Sequence, residues 1–367
     1  MSKPLSAAKA ALLHDGTVIP AHPLALDASR RLDERRQRAL TRYYLAAGAG
    51  GVAVGVHTTQ FEIREVGLLE PVLRLAAEEV DAAAAGAQVG GVGAFGAGAA
   101  APFLKVAGVL GERAQATAEV ELAASLGYDL ALLSFRGLDQ LSETELLEHT
   151  RSVAEVLPVV GFYLQAAIGG RRFSFDFWRR FAEVPGVVAI KIAPFDRYAT
   201  LDVVRGVASS SRVDDIALYT GNDDNIVVDL LTPYRVSVAG RVVEKRIVGG
   251  LLGQWAVWTK AAVDLLEEVK GLRARAAEQV PVELLTRAAR WTDANATVFD
   301  AANRFHGVIA GVHEVLRRQG LLEGIWCLDP AEGLSPGQSE EIARIYREHP
   351  DLTDDDFVSA NLAQWLS

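Results

Sequence analysis

Short apolar runs rich in β-branched residues recur eight times between Thr17 and Leu266, and stretches with apolar residues at three- and four-residue spacing separate them. The runs are Thr17–Leu24, Gly51–His57, Phe103–Val109, Leu130–Ser134, Pro158–Tyr163, Val187–Ile192, Ile216–Thr220 and Ile247–Leu252. The intervening stretches include Leu32–Ala46, Ala114–Leu126, Glu143–Val156, Phe173–Ala182 and Leu201–Val207. Strands that alternate with helices favour a parallel sheet, because each parallel connection needs a long crossover. Eight such units predict a (β/α)8 TIM barrel of the α/β class. A Gly/Ala-rich insertion, Ala82–Pro102, and a hairpin at Val236–Arg246 around Ala239-Gly240 interrupt the rhythm. After Lys270 the strand pattern stops and four helices are predicted, Val282–Trp291, Asn295–Gln319, Ser339–His349 and Asp354–Leu366. The chain therefore reads as a catalytic barrel over residues 1–268 and a helical C-terminal extension over 269–367.

Composition narrows the function. Half of the 367 residues are hydrophobic and 23% are charged, enough for a large core. A net charge of −10 argues against nucleic acid or an anionic membrane as the main partner, which leaves a small molecule. Cys327 is the only cysteine, which excludes an internal disulfide and a Cys-based zinc site. The Ala7–Leu13 run is broken by Lys9 and too short for a signal-peptide core, and no segment reaches spanning length, so a soluble cytoplasmic protein is expected. No metal or organic cofactor is expected either. The histidines show no metal-binding spacing; His306 and His313 share a face of one predicted helix and read as core or interface. The Gly91–Gly96 segment matches G-x-G-x-x-G but neither follows a strand nor opens a helix, so it reads as a loop. Asp354-Asp355-Asp356 opens the last helix and reads as capping.

Lys191 stands in the middle of the apolar run Val187–Pro194. Alternation puts it on one face with Val187, Ala189 and Ala193, while Val188, Ile190 and Ile192 point the other way. Burial disfavours the ammonium and lowers a lysine's pKa by up to about 3–5 units. A neutral amine is a nucleophile toward ketones, and a Schiff base is its natural product. A lysine that snorkels to water or pairs with a buried carboxylate is the plainer alternative.

In a parallel barrel the C-terminal strand ends converge on one mouth. They collect His57, Thr58 and Thr59 after the second strand, Ser134 and Arg136 after the fourth, Tyr163 and Gln165 after the fifth, and Gly221-Asn222-Asp223-Asp224 after the seventh. Val159, Gly161 and Tyr163 alternate onto one face, and bare Gly161 leaves room, so Tyr163 is expected to face inward beside Lys191 as a proton shuttle. Thr58 and Thr59 offer hydroxyls and backbone donors for a small carboxylate.

With these residues in place, the sequence resembles the dihydrodipicolinate synthase / N-acetylneuraminate lyase family of Schiff-base aldolases. The family's order is a Thr-Thr or Ser-Thr pair after strand two, a tyrosine segment after strand five and Ile-Lys in strand six. Here it is matched by His57-Thr58-Thr59, Gly161-Phe162-Tyr163 and Ala189-Ile190-Lys191. The resemblance implies that Lys191 forms the imine with a 2-oxo acid and Tyr163 moves protons. It also implies that Thr58 and Thr59 bind the carboxylate, Thr58 also relaying protons, and that Gly221 gives a backbone contact. Gly221-Asn222-Asp223-Asp224 is similar to the sialate-lyase pattern, in which the two acidic residues bind hydroxyls of a sugar chain. The family's paired tyrosines after strand four are replaced by Ser134-Phe135-Arg136, and the glycine before the two threonines by His57, which makes dihydrodipicolinate synthesis improbable. The expected function is a Schiff-base lyase, aldolase or dehydratase acting on a 2-oxo acid that yields pyruvate or derives from a sugar acid, in a homo-oligomer, dimer or tetramer. The alternatives are a catalytically silent 2-oxo-acid-binding or scaffold protein of the same fold, and a barrel enzyme that uses His57, Glu62 and Asp223 without a covalent lysine.

Overall fold

The computed structural model describes residues 4–86, 101–275 and 279–367. The strands are β1 (Val18–Pro20), β2 (Gly51–Val54), β3 (Leu104–Val109), β4 (Leu130–Ser134), β5 (Val159–Leu164), β6 (Val187–Ala193), β7 (Ala217–Thr220), β8 (Pro233–Val238) and β9 (Arg241–Leu252). The helices are α1 (Ala7–Asp15), α2 (Glu34–Ala47), α3 (Leu69–Ala84), α4 (Arg113–Ser125), α5 (Glu143–Ala154), α6 (Phe175–Ala182), α7 (Arg197–Ala208), α8 (Ile226–Leu231), α9 (Thr259–Ala274), α10 (Val282–Val298), α11 (Val308–Arg318), α12 (Gln338–Glu348) and α13 (Asp355–Trp365). Sheet order is β1-β9-β7-β6-β5-β4-β3-β2, and a parallel bridge from Ala21 to Ala53 joins its two ends. The fold is a (β/α)8 barrel with a helical C-terminal extension. β8 pairs only with β9, antiparallel, through a turn at Ala239 and Gly240 that both take positive φ, as a two-residue hairpin turn demands. The G-x-G-x-x-G segment and most of the 82–102 insertion lie outside the described residues.

The chain forms two compact units, Met1–Thr17 with Val106–Leu251, and Val18–Lys105 with Leu252–Ser367.

In the first unit the strands β4 to β7 are almost wholly buried, as their continuous apolar runs require. Helix α6 covers them with an aromatic cluster: Phe177 stacks on Phe173 with ring centroids 4.4 Å apart, and Phe135, Trp178 and Phe181 pack around the pair. Helix α1, which strand-and-helix alternation passes over, starts at a Ser6 cap and ends at Gly16. Gly16 has φ +87°, and a Cβ there would lie 2.1 Å from the Val248 carbonyl oxygen, so only glycine fits.

In the second unit the sequence pattern fails at one helix. Asn295–Gln319 is not continuous: α10 stops at Val298 and α11 starts at Val308, with Asp300, Arg304 and Phe305 at positive φ between them. Asp300 holds this turn, accepting hydrogen bonds from Asn303 Nδ2 (2.7 Å), Gly307 N (3.0 Å) and Ser335 Oγ (2.5 Å). The break separates exposed His306 from buried His313, so the two histidines share no helix face. Asp354 also departs from expectation. Its side chain makes no capping bond and instead lies buried, accepting from Tyr43 Oη (2.6 Å), Lys260 N (3.0 Å) and Gln319 Nε2 (2.8 Å).

Candidate active site

Strand register decides which side chains share a face with Lys191, because residues opposite one another in a parallel ladder point to the same side. Lys191 pairs with Phe162 on β5 and Tyr219 on β7; Phe162 pairs with Ser134 on β4, and Tyr219 with Gly249 on β9. The row therefore reads Ser134, Phe162, Lys191, Tyr219, Gly249. The Lys191 ammonium nitrogen sits 4.2 Å from the centre of the Phe162 ring. Lys191 is 7% exposed, and burial lowers its pKa to about 8 even though the Asp223 carboxylate pulls it upward.

Tyr163 is on the opposite face. It pairs with Ile192, its ring lies 5.0 Å from Trp178 and 5.7 Å from Phe173, and its hydroxyl accepts a long bond from Phe173 N (3.4 Å). The alternation Val159, Gly161, Tyr163 holds, but the space at Gly161 belongs to the helix layer: a Cβ there would lie 2.5 Å from the Phe181 ring. The expectation that Tyr163 stands beside Lys191 is thus corrected, and Phe162 occupies that place. Sequence reasoning also passes over Tyr219, whose hydroxyl donates to the Leu13 carbonyl (2.9 Å) and is pushed far up in pKa by burial.

Gly221 lies against the lysine. A Cβ at this position would lie 2.6 Å from Lys191 Cε and 2.7 Å from Ala193 Cβ, so the missing side chain is what lets the β7 end reach the amine. The segment that follows is tightly held: Gly221 N donates to Ile192 O (2.7 Å), and Asn222 Nδ2 donates to Asp229 Oδ2 (2.9 Å) and Thr200 Oγ1 (3.1 Å). Asn222 Oδ1 accepts from Phe195 N (3.0 Å). Asp223 is buried, at 5% exposure. Asp224 is half-buried and pairs with Arg197 (3.4 Å), which also holds Asp229 (3.0 Å); burial raises the Asp224 pKa.

In the second unit, His57, Thr58 and Thr59 form a single 3-10 turn after β2. The Thr58 hydroxyl donates to Ala21 O (2.9 Å) and the Thr59 hydroxyl to His22 O (2.6 Å), while Thr59 Oγ1 also accepts from Gly55 N and Val56 N. Both hydroxyl protons are thus engaged by the end of β1, and neither side chain has a donor left for a carboxylate. The His57 ring lies 5.7 Å from Phe61. Among the described residues, Asp293, Glu348 and His349 come close enough to share a metal ion, but Arg344 already binds both oxygens of Asp293 (2.8 and 2.9 Å) and Glu348 (2.9 Å).

This arrangement defines a class: a (β/α)8 barrel with a buried, deprotonation-prone lysine inside its sixth strand. No protein-family model matches the chain, and no curated protein matches it in sequence. Solved structures do. A monomeric dihydrodipicolinate synthase variant is 16% identical with TM-score 0.69, covering 92% of this chain and 98% of its own. N-acetylneuraminate lyase from Mycoplasma synoviae is 13% identical with TM-score 0.64, covering 91% and 98%. A prophage protein of the dihydrodipicolinic acid synthase family from E. coli K12, in complex with pyruvate, is 15% identical with TM-score 0.68, covering 90% and 97%. The chain shares its fold with these proteins. Among the described residues no helix is long and apolar enough to cross a membrane.

Proposed function

We propose that this chain is a divergent member of the dihydrodipicolinate synthase / N-acetylneuraminate lyase family and acts as a Schiff-base lyase, aldolase or dehydratase on a 2-oxo acid. The observation that carries the reading is Lys191: buried inside β6, with an amine that loses its proton near pH 8, and with Gly221 leaving space beside Cε. A neutral amine adds to the C2 carbonyl, and the resulting iminium is an electron sink for a carbanion at C3. Cleavage and dehydration both pass through that enamine. The test is incubation with pyruvate and borohydride followed by peptide mass analysis. Reduction fixes the imine as a stable amine, so an adduct on Lys191, absent from Lys191→Ala, is the expected result. No adduct would remove the covalent lysine.

A second reading, a protein that binds 2-oxo acids without turnover, is favoured by Phe162, since a phenyl ring cannot carry a proton. It predicts an imine but no exchange of the pyruvate C3 protons with solvent. The assembly is proposed to be a homo-oligomer, dimer or tetramer. A monomeric mass by light scattering at micromolar concentration would count against it.

A further inference from the structure

We propose that Asp223 is the acid–base group serving the Lys191 imine, in the role that a phenol beside the lysine would otherwise fill. This rests on the covalent reading of Lys191. An imine cycle needs a group that gives a proton to the departing oxygen and another proton transfer at C3. The side chains in the lysine's own row do not supply one. Phe162 has no titratable atom, Tyr163 is on the helix side of the sheet, and the Tyr219 hydroxyl is bound to the Leu13 carbonyl. Ser134 Oγ accepts from Arg136 N, and an alcohol is too weak an acid for the task.

Asp223 meets the requirement by placement. Gly221, two residues earlier, brings the chain against Lys191 Cε, and the bonds from Gly221 N and through Asn222 fix the segment on which Asp223 stands. The carboxyl is buried like the amine, and the two groups interact electrostatically. Asp224, the next residue, is half-buried and held by Arg197.

The cycle balances on one proton shared by the pair. With that proton on Asp223, the neutral Lys191 amine adds to C2 and gives a carbinolamine after its own proton moves to oxygen. Asp223 protonates the carbinolamine hydroxyl, the C–O bond breaks, water leaves and the iminium forms. The Asp223 carboxylate then removes a proton from C3, giving the neutral enamine and restoring the carboxylic acid.

The experiment pairs two readouts on the full-length protein with pyruvate as probe: borohydride trapping on Lys191, and exchange of the C3 protons in D2O followed by NMR. Asp223→Asn and Asp223→Ser are measured in parallel, so that a fold lost in one is checked in the other. The expected result is that, after long incubation with pyruvate, the Lys191 adduct is still trapped to the wild-type yield, because an acid–base group sets the rate of imine formation and not its equilibrium, while C3 exchange falls by about 100-fold or more. A role confined to holding the loop would lower that final adduct yield together with exchange and overturns the proposal. Wild-type exchange in either folded variant overturns it as well, and so does a wild type that forms the adduct but exchanges no protons. A wild type without any Lys191 adduct defeats the covalent reading itself, which separates the two failures.

Discussion

Lys191 owes its chemistry to its surroundings. At a pKa of about 8, about a tenth of the amine is neutral at pH 7, against about three in ten thousand for a lysine at 10.5. Desolvation is the larger influence and lowers the value; the Asp223 carboxylate opposes it. Acylation of Lys191 by an uncharged ester, followed peptide by peptide, should therefore reach half its plateau rate near pH 8. In Asp223→Asn the opposing charge is gone, so the midpoint should move lower; an unchanged midpoint would disconnect Asp223 from the amine. The same shift links to stability. Between about pH 8 and 10.5 the unfolded chain holds the lysine proton and the folded chain does not, so stability attributable to Lys191 rises with pH through that window.

At the scale of the element, β5 shows what a sequence reveals and where it stops. Its limits are plain from an apolar run, and period-two alternation gives the right partners on each face. Alternation alone does not say which face the helix takes, and Phe181 of α6 fills the space at Gly161. Tyr163 goes with Gly161 into the aromatic layer, which leaves Phe162 beside the lysine. Tyr163→Phe should accordingly trap the pyruvate adduct within about twofold of the wild-type rate and lose under about 1 kcal/mol, since only a long 3.4 Å bond disappears. A loss of activity of 100-fold would return the tyrosine to the reaction. Strands such as Leu130–Ser134 are legible to the residue because burial on both faces leaves a continuous apolar signature. The break between α10 and α11 is not legible, because non-glycine residues at positive φ are held there by Ser335, far along the chain, through Asp300. The threonine pair was legible as a motif, while the direction of its hydroxyls depends on where the end of β1 runs.

At the scale of the molecule, the C-terminal helices are tied into the second unit through polar contacts as well as apolar ones. Asp354 gathers Tyr43 of α2, Lys260 of α9 and Gln319 just beyond α11, and the Tyr43 hydroxyl in turn accepts from Thr259 N (2.7 Å). Arg36 reaches the Gly320 carbonyl (2.7 Å) and Arg42 the Trp365 carbonyl (2.7 Å), both from α2. A carboxylate this deeply buried is tolerable only because its partners are donors, and two of them, Tyr43 and Gln319, are themselves buried. Asp354→Ala removes the acceptor and leaves three donors without it, each costing about 1–3 kcal/mol before relaxation. The expected loss in a denaturant titration is roughly 3–5 kcal/mol. Because the network joins α2 to the last helices, far-UV circular dichroism and tryptophan fluorescence should shift together in the variant. An early, separate transition of the C-terminal helices, with the remainder unfolding at the wild-type midpoint, would mean that the extension is energetically independent of the strands and helices it packs with in that unit.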